Sequence, residues 1–365
     1  MKIGIIGAGA CGLICGAYLT LNSKIEYKIF ERNSKAGSKI LASGNGRCNL
    51  SNMFISNKMY HNNDHFTYDN KAWTNFLAEH DFLITSDNEG RCYPFSNSSK
   101  SVVDFLLSHQ RPNSIIYDTE ITKITKKNGK LILNNEEFDK IILASGSIAS
   151  IIDKKQKGVY DYLDSLNLKL TELKPSLVGF KLKNAIKEIS GVRVPVLAKV
   201  MVDNKIYHQE KGEMIFKDDG ISGIAIMNMS FYYNHLKNAK IAIEMYPDLC
   251  GDKLLRYLDK QDKLKYLINP KLWDYLKSKN NHEIYSFLKE FQPEIVKTYD
   301  FKDSQVISGG IDLKQVDSHF NLVNNSNIYV GGEVLDVDGL CGGFNLAFAF
   351  NSGISIAKKI IKDSL

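Results

Sequence analysis

The chain begins with an apolar stretch, Lys2-Ile3-Gly4-Ile5-Ile6, that runs straight into Gly7-Ala8-Gly9-Ala10-Cys11-Gly12. A β-prone run, three glycines in G-x-G-x-x-G spacing and an apolar continuation predict a strand, a tight turn and a helix. Each glycine has its own task. Gly7 permits the turn, Gly9 lets backbone N–H groups approach a pyrophosphate, and Gly12 lets the helix pack closely on the strand. Ala10 and Cys11 open that helix, whose free N–H groups and dipole favour a bound anion. A second strand, Ile25 to Phe30, ends at Glu31, 19 positions after Gly12, where a carboxylate can accept from an adenosine ribose. Strand, glycines, helix and acid in this order predict an α/β, Rossmann-type domain that binds a dinucleotide.

Further small-residue segments extend the candidate site. Arg32 follows the acid, and Gly37 to Asn52 is rich in Gly, Ser and Asn, a composition suited to backbone lying against a polyanion or a planar ring. Lys39, Ser43, Gly44, Gly46, Arg47, Cys48 and Asn49 are its candidate cofactor contacts, with Arg47 placed to pair with a pyrophosphate or an anionic substrate. Helices are expected near Trp73 to His80 and Ser101 to His109, and strands at Ile115 to Tyr117, Ile121 to Thr125 and Lys130 to Leu133. The buried strand Lys140 to Leu143 ends in Ala144-Ser145-Gly146, so Gly146 joins the candidates. Near the other end, Asn327 to Glu333 reads as a strand ending in glycines, followed by Gly342-Gly343-Phe344-Asn345 and a helix from about Leu346. Gly332, Glu333, Asp336, Gly342, Gly343, Phe344 and Asn345 complete the candidate set.

Two glycine-rich strand-to-helix crossings at opposite ends of the chain imply a split cofactor domain, residues 1–170 with 303–365. Between them, 171–250 alternates apolar and polar residues and reads as an inserted antiparallel β subdomain. Residues 251–302 switch to helical spacing and read as a small helical subdomain, its aromatic stripe serving as core. The return of the C-terminus to the cofactor favours FAD over a nicotinamide dinucleotide, because a tightly held flavin needs its ribityl chain and pyrimidine ring gripped as well. No second G-x-G-x-x-G and no redox cysteine pair are present, which disfavours a disulfide reductase. NAD(P)H, if it is the reductant, docks transiently.

At these residues the sequence resembles the YhiN/BaiN-like flavoproteins, a bacterial family also labelled aminoacetone-oxidase-like or NAD(P)/FAD-dependent oxidoreductases. The resemblance covers nearly the whole chain. It rests on Gly7 to Gly12, Ser43-Gly44-Asn45-Gly46-Arg47-Cys48-Asn49, Gly90 to Pro94, Gly212 to Phe216, Ser308 to Ile311, and Gly332 to Gly339 with Gly342 to Asn345. It implies FAD bound between the two chain ends, roofed by the inserted subdomains. Lys217-Asp218 stands where the family commonly has Thr-His, so the histidine proton donor is missing and the catalytic residues stay unassigned.

Composition bounds the remaining classes. The chain has 365 residues and a net charge of +6 from lysines spread along its length, with no basic block of five. That pattern argues for a solvated surface over a nucleic-acid face. Its six cysteines form no metal-ligand spacing, no stretch reaches 18 apolar residues, and no signal-type cleavage pattern follows the N-terminus. The sequence predicts a cytoplasmic, metal-free FAD oxidoreductase acting on a small molecule. An RNA-associated or RNA-modifying flavoprotein and an FAD-binding protein without turnover are its alternatives.

Overall fold

The computed structural model describes residues 1–21, 24–150, 154–249 and 251–364. They fall into two compact units, Met1–Leu173 with Val306–Leu365, and Lys174–Gln305.

The first unit is built from both ends of the chain around a six-stranded sheet. Its order is Asn321–Leu322, Asn325–Val330, Lys140–Leu143, Lys2–Ile6, Glu26–Phe30 and Ile115–Ile116. Neighbours pair in parallel except the first two, which are antiparallel. Ile3, Ile5, Ile141, Ile142, Ile328 and Val330 are fully buried, as expected of parallel strands covered on both faces. The helices Ala10–Leu21 and Phe344–Lys362 pack against each other. At Gly353 of the latter an added Cβ would lie 2.6 Å from the Cys11 carbonyl oxygen and 2.7 Å from Ile14 Cγ2. The first and last helices therefore share one core.

Helices form at Ala72–Glu79 and Ser99–Ser108, and the closing helix starts at Phe344, two residues ahead of its expected beginning. The strand expected at Ile121 to Thr125 does not form there. Pairing begins only at Thr125–Lys127. Ile121 and Ile124 are both buried, but three residues apart they cannot share one face of a strand, and they anchor a loop instead.

The second unit carries an antiparallel sheet in the order Lys240–Met245, Arg193–Val202, Lys205–Lys217, Gly220–Ser222, Phe180–Leu182 and Ile295–Thr298. In Arg193–Val202 the buried residues Val194, Val196, Ala198 and Val200 alternate with less buried neighbours. Asp203 and Asn204 both take positive φ, the type I′ geometry that closes a two-residue hairpin. Leu254, Leu258, Leu272, Leu276, Ile284 and Leu288 bury in the same core as Val194, Phe216 and Ile243, with Trp273, Phe287 and Phe291 packed against it. One core therefore spans the change from strands to helices, and the boundary expected at residue 250 separates no two cores.

Candidate functional site

The glycine turn lies at the C-terminal end of Lys2–Ile6, where open α/β sheets bind their ligands. Gly7 holds φ at 104°, donates to Phe30 O (2.8 Å), and has room only for hydrogen, since a Cβ would sit 2.5 Å from Ala144 O. At Gly12 a Cβ would collide with the Gly7 carbonyl oxygen, so the helix can approach the strand this closely only through glycine. At Gly9 a Cβ meets nothing within 4 Å. The turn thus leaves open space in front of a helix whose first turn, from Ala10, carries no acidic side chain.

Glu31 is 7% exposed and braces this turn. Its Oε2 accepts from Ala8 N (2.9 Å), while Oε1 accepts from Asn33 N (2.9 Å) and Asn33 Nδ2 (2.7 Å). Three acceptor sites of a four-site carboxylate are filled, and one remains for a hydroxyl donor. Both oxygens face N–H donors, so a glutamine would have to present its NH₂ to one of them. We predict that Glu31→Ala weakens FAD by about 1.5–3 kcal/mol and that Glu31→Gln does nearly the same. Titration of flavin-stripped protein measures this. Wild-type affinity in the glutamine variant would show that the Ala8 contact does not shape the site.

The Gly37–Asn52 segment folds as the short helix Ser38–Ala42 and a tight turn, Ser43–Gly46, in which Gly44 and Asn45 both adopt left-handed geometry. Ser43 Oγ donates to Ile40 O (2.7 Å). Arg47 is exposed, with its guanidinium 4.7 Å from the Tyr93 ring centre, a cation–π contact that steadies the head group. Cys48 is fully buried, and burial pushes its thiol up to about 11 against the opposing Ser43 hydrogen bond. Burial likewise pushes Cys11 up to about 12, with Ser352 Oγ donating to its sulfur at 3.8 Å. Both thiols stay protonated near neutral pH, which suits packing and not redox exchange. Cys250 lies outside the described residues.

The two chain ends meet at Lys39. Its ammonium donates to Ser147 O (2.9 Å), Ser147 Oγ (3.0 Å) and Glu333 Oε2 (2.9 Å), a pair 294 residues apart in sequence. The other Glu333 oxygen, Oε1, is buried and has no partner among the described residues. The Tyr160 phenol is raised by burial and, secondarily, by the Glu333 charge. Next to Ser147, Gly146 again faces open space, as does Gly46. Gly332 N donates to Ser352 Oγ (3.0 Å), fixing the turn that carries Glu333.

Several expected contacts turn out to brace the scaffold. Asn49 donates to Ser51 O (3.0 Å) and Cys92 O (3.2 Å) and accepts from Gly343 N (3.1 Å). Asn345 closes its own loop, accepting from Gly339 N (2.8 Å) and donating to Gly339 O (2.9 Å). Phe344 is buried edge-on to Tyr60, ring centres 6.0 Å apart, and Gly342 O accepts from Asn52 Nδ2 (2.9 Å). Asp336 is buried, with its carbonyl accepting from Asn62 Nδ2 (3.2 Å). Arg32 is half-buried beside Glu31. Ser147, Asn33, Ser352 and Tyr160 were invisible to spacing, since isolated Ser, Asn and Tyr residues carry no local pattern.

The residues fit a dinucleotide. A buried carboxylate oxygen has no donor among the described residues, and three glycine positions leave space that a side chain would fill.

Residues 1–359 match the family described as HI0933-like protein Rossmann domain. The 3-dehydro-bile acid delta(4,6)-reductase of Clostridium scindens is 29% identical over 96% of this chain and 97% of its own. The ribosomal RNA dihydrouridine synthase of Haemophilus influenzae is 25% identical over 98% and 97%. Among solved structures, the open conformation of a flavocytochrome c3 fumarate reductase aligns over 100% of this chain and 78% of its own, at 11% identity and TM-score 0.48. No helix among the described residues is long and apolar enough to cross a membrane. With the family matched almost end to end around a glycine turn of this geometry, the chain belongs to the HI0933-like family and is an FAD-dependent oxidoreductase.

Proposed function

We propose that the chain is a reductase that saturates a carbon–carbon double bond conjugated to a carbonyl, with NAD(P)H as reductant. The observation that carries this reading is the cradle of the first unit, in which open glycine positions accompany a buried Glu333 oxygen that has no donor among the described residues. Gly7 to Gly12 would hold the pyrophosphate, Glu31 the adenosine ribose, and Glu333 a ribityl hydroxyl. FAD, when bound, supplies hydride transfer at N5. The protein's part is positioning. Lys39 fixes Glu333 and Ser147 to one another, and the N-terminus of Phe344–Lys362 favours negative charge near it.

The reaction class comes from the relatives' names. One reduces delta(4,6) bonds of a 3-dehydro bile acid and the other makes dihydrouridine, so both saturate a double bond conjugated to a carbonyl. Overall, one hydride and one proton add across that bond while NAD(P)H becomes NAD(P)⁺. A free small molecule and a nucleobase within RNA both present such a bond.

Anaerobic absorbance spectroscopy tests the proposal. NADH or NADPH should bleach the flavin, and a 3-oxo-Δ4 steroid or a uridine-containing RNA should restore its colour. Restoration by oxygen alone would make the protein an oxidase. Failure of every nicotinamide and amine donor to bleach it would leave a cofactor-binding protein without turnover.

A further inference from the structure

The segment from Gly37 to Asn49 follows the cradle of the first unit step by step. Gly37 N donates to Ala8 O (2.8 Å), so the segment leaves from the glycine turn that would hold the pyrophosphate. The short helix Ser38–Ala42 carries Lys39 to Glu333 (2.9 Å), the residue placed at the ribityl chain. Asn49 then accepts from Gly343 N (3.1 Å), at the N-cap of the closing helix. Arg47 stands between these last two grips, beyond the pyrophosphate turn. Its guanidinium rests on the ring of the buried Tyr93 and has no hydrogen bond or ion pair among the described residues. The other cations of this segment and of the Tyr93 strand are already paired. Lys39 is held by Glu333 and Ser147, and Arg91 by Asp87 (2.7 Å) and Glu89 (3.0 Å). Beside Arg47, Gly46 faces open space. Asn45 and the fully buried Cys48 are both held at positive φ, 54° and 59°. Strained non-glycine backbone of this kind persists where its surroundings fix it, and it collects at ligand clamps.

We infer that Arg47 is the specificity-determining residue of this site and anchors a carboxylate of the substrate, with Tyr93 positioning it. A planar fork of donors matches a carboxylate in two parallel hydrogen bonds, and stacking on an aromatic face orients the fork before the ligand arrives. One unpaired positive charge balances one carboxylate. The phosphates of FAD would lie at the other end of the segment, against the N-terminus of Ala10–Leu21, and would leave this charge unmet. A nucleic-acid backbone presents successive phosphates, and a single free cation meets only one of them. The inference deepens the proposed reductase by naming a group that its substrate carries. It rests on that reading for turnover and for a flavin ring near the closing helix. Carboxylate binding itself is measured with oxidised protein and no reductant.

The test is isothermal titration of the FAD-loaded full chain with benzoate, with its neutral counterpart methyl benzoate, and with inorganic phosphate. Benzoate should bind at least about 10-fold more tightly than the ester, the size of a charge-assisted hydrogen bond. Arg47→Met should abolish that preference while keeping wild-type FAD affinity and melting temperature. Arg47→Lys, which keeps the charge and loses the fork, should retain only part of it. Tyr93→Phe keeps the ring face and should bind benzoate as the wild type does. Tyr93→Leu should weaken benzoate about 2- to 5-fold, the worth of an exposed cation–π contact. Under turnover, Arg47→Met should raise KM for 4-oxopent-2-enoate with kcat kept, and leave the methyl ester of that acid unaffected. No preference for benzoate over its ester, or an unchanged preference in Arg47→Met, would overturn the inference. So would loss of FAD from Arg47→Met, which would make the residue a cofactor ligand, or tighter binding of inorganic phosphate than of benzoate. Benzoate binding through Arg47 without reduction of any conjugated bond would sink the reductase proposal and leave the anchor standing.

Discussion

Gly9→Val should give a folded but colourless protein, whereas Gly12→Val should not fold to a stable state. At Gly9 an added Cβ meets nothing within 4 Å, so the apo fold has no reason to resist a valine. The isopropyl group would occupy the space in front of the Ala10–Leu21 helix and keep the pyrophosphate from its N–H groups. Losing two charge-assisted hydrogen bonds at about 1.5–3 kcal/mol each lowers FAD affinity at least about 100-fold. At Gly12 the Cβ instead overlaps the Gly7 carbonyl oxygen and approaches Ile5 Cγ2 at 3.2 Å. Relief there means moving the first helix off the first strand, not repacking one side chain. Overpacking of side chains alone costs about 1–3 kcal/mol, and displaced backbone costs more. Circular-dichroism melts and flavin absorbance of the two variants separate these outcomes. A yellow Gly9→Val protein with wild-type FAD affinity would place the pyrophosphate elsewhere.

The contrast also shows what a sequence of this kind discloses. Glycine spacing and the two strand-to-helix crossings reveal that both ends build one unit, because at Gly7, Gly12 and Gly343 a side chain would collide with neighbouring backbone. The same composition misleads one step later. Asn49 and Asn345 sit among glycines exactly as ligand-binding amides would, yet both are consumed by backbone groups. An amide that braces a loop and one that grips a ligand leave the same trace in a sequence. The Lys39–Glu333 contact is illegible for another reason: no periodicity links residues 294 apart. The helices after residue 250 were legible as helices, but an apolar stripe says only that a face is covered, not that a sheet from the same unit covers it.

A chain ending at Asn327 should lose FAD entirely, together with the fold of its first unit. The cut removes the inner residues of the strand Asn325–Val330 and all of the helix Phe344–Lys362. Ile328, Val330, Phe350, Ile354, Ile356 and Ile360 are each no more than 1% exposed. At about 1.5–3 kcal/mol per buried apolar side chain, their loss withdraws roughly 9–18 kcal/mol. The net stability of a whole domain is only about 5–15 kcal/mol, so the remaining core has nothing left to hold it. Lys140–Leu143 would become an edge of apolar residues with an unpaired ladder, a template for aggregation. The helix Ala10–Leu21 would lose the partner that meets it at Gly353, and with it the support that aims its N-terminus at the pyrophosphate. Solubility, a thermal melt and flavin absorbance of the truncated chain check this together. A soluble product that melts cooperatively and holds FAD at full strength would show that the C-terminal segment is no part of the cofactor unit. The nicotinamide-dehydrogenase architecture, in which the first half of the chain binds its dinucleotide unaided, would then be the better description.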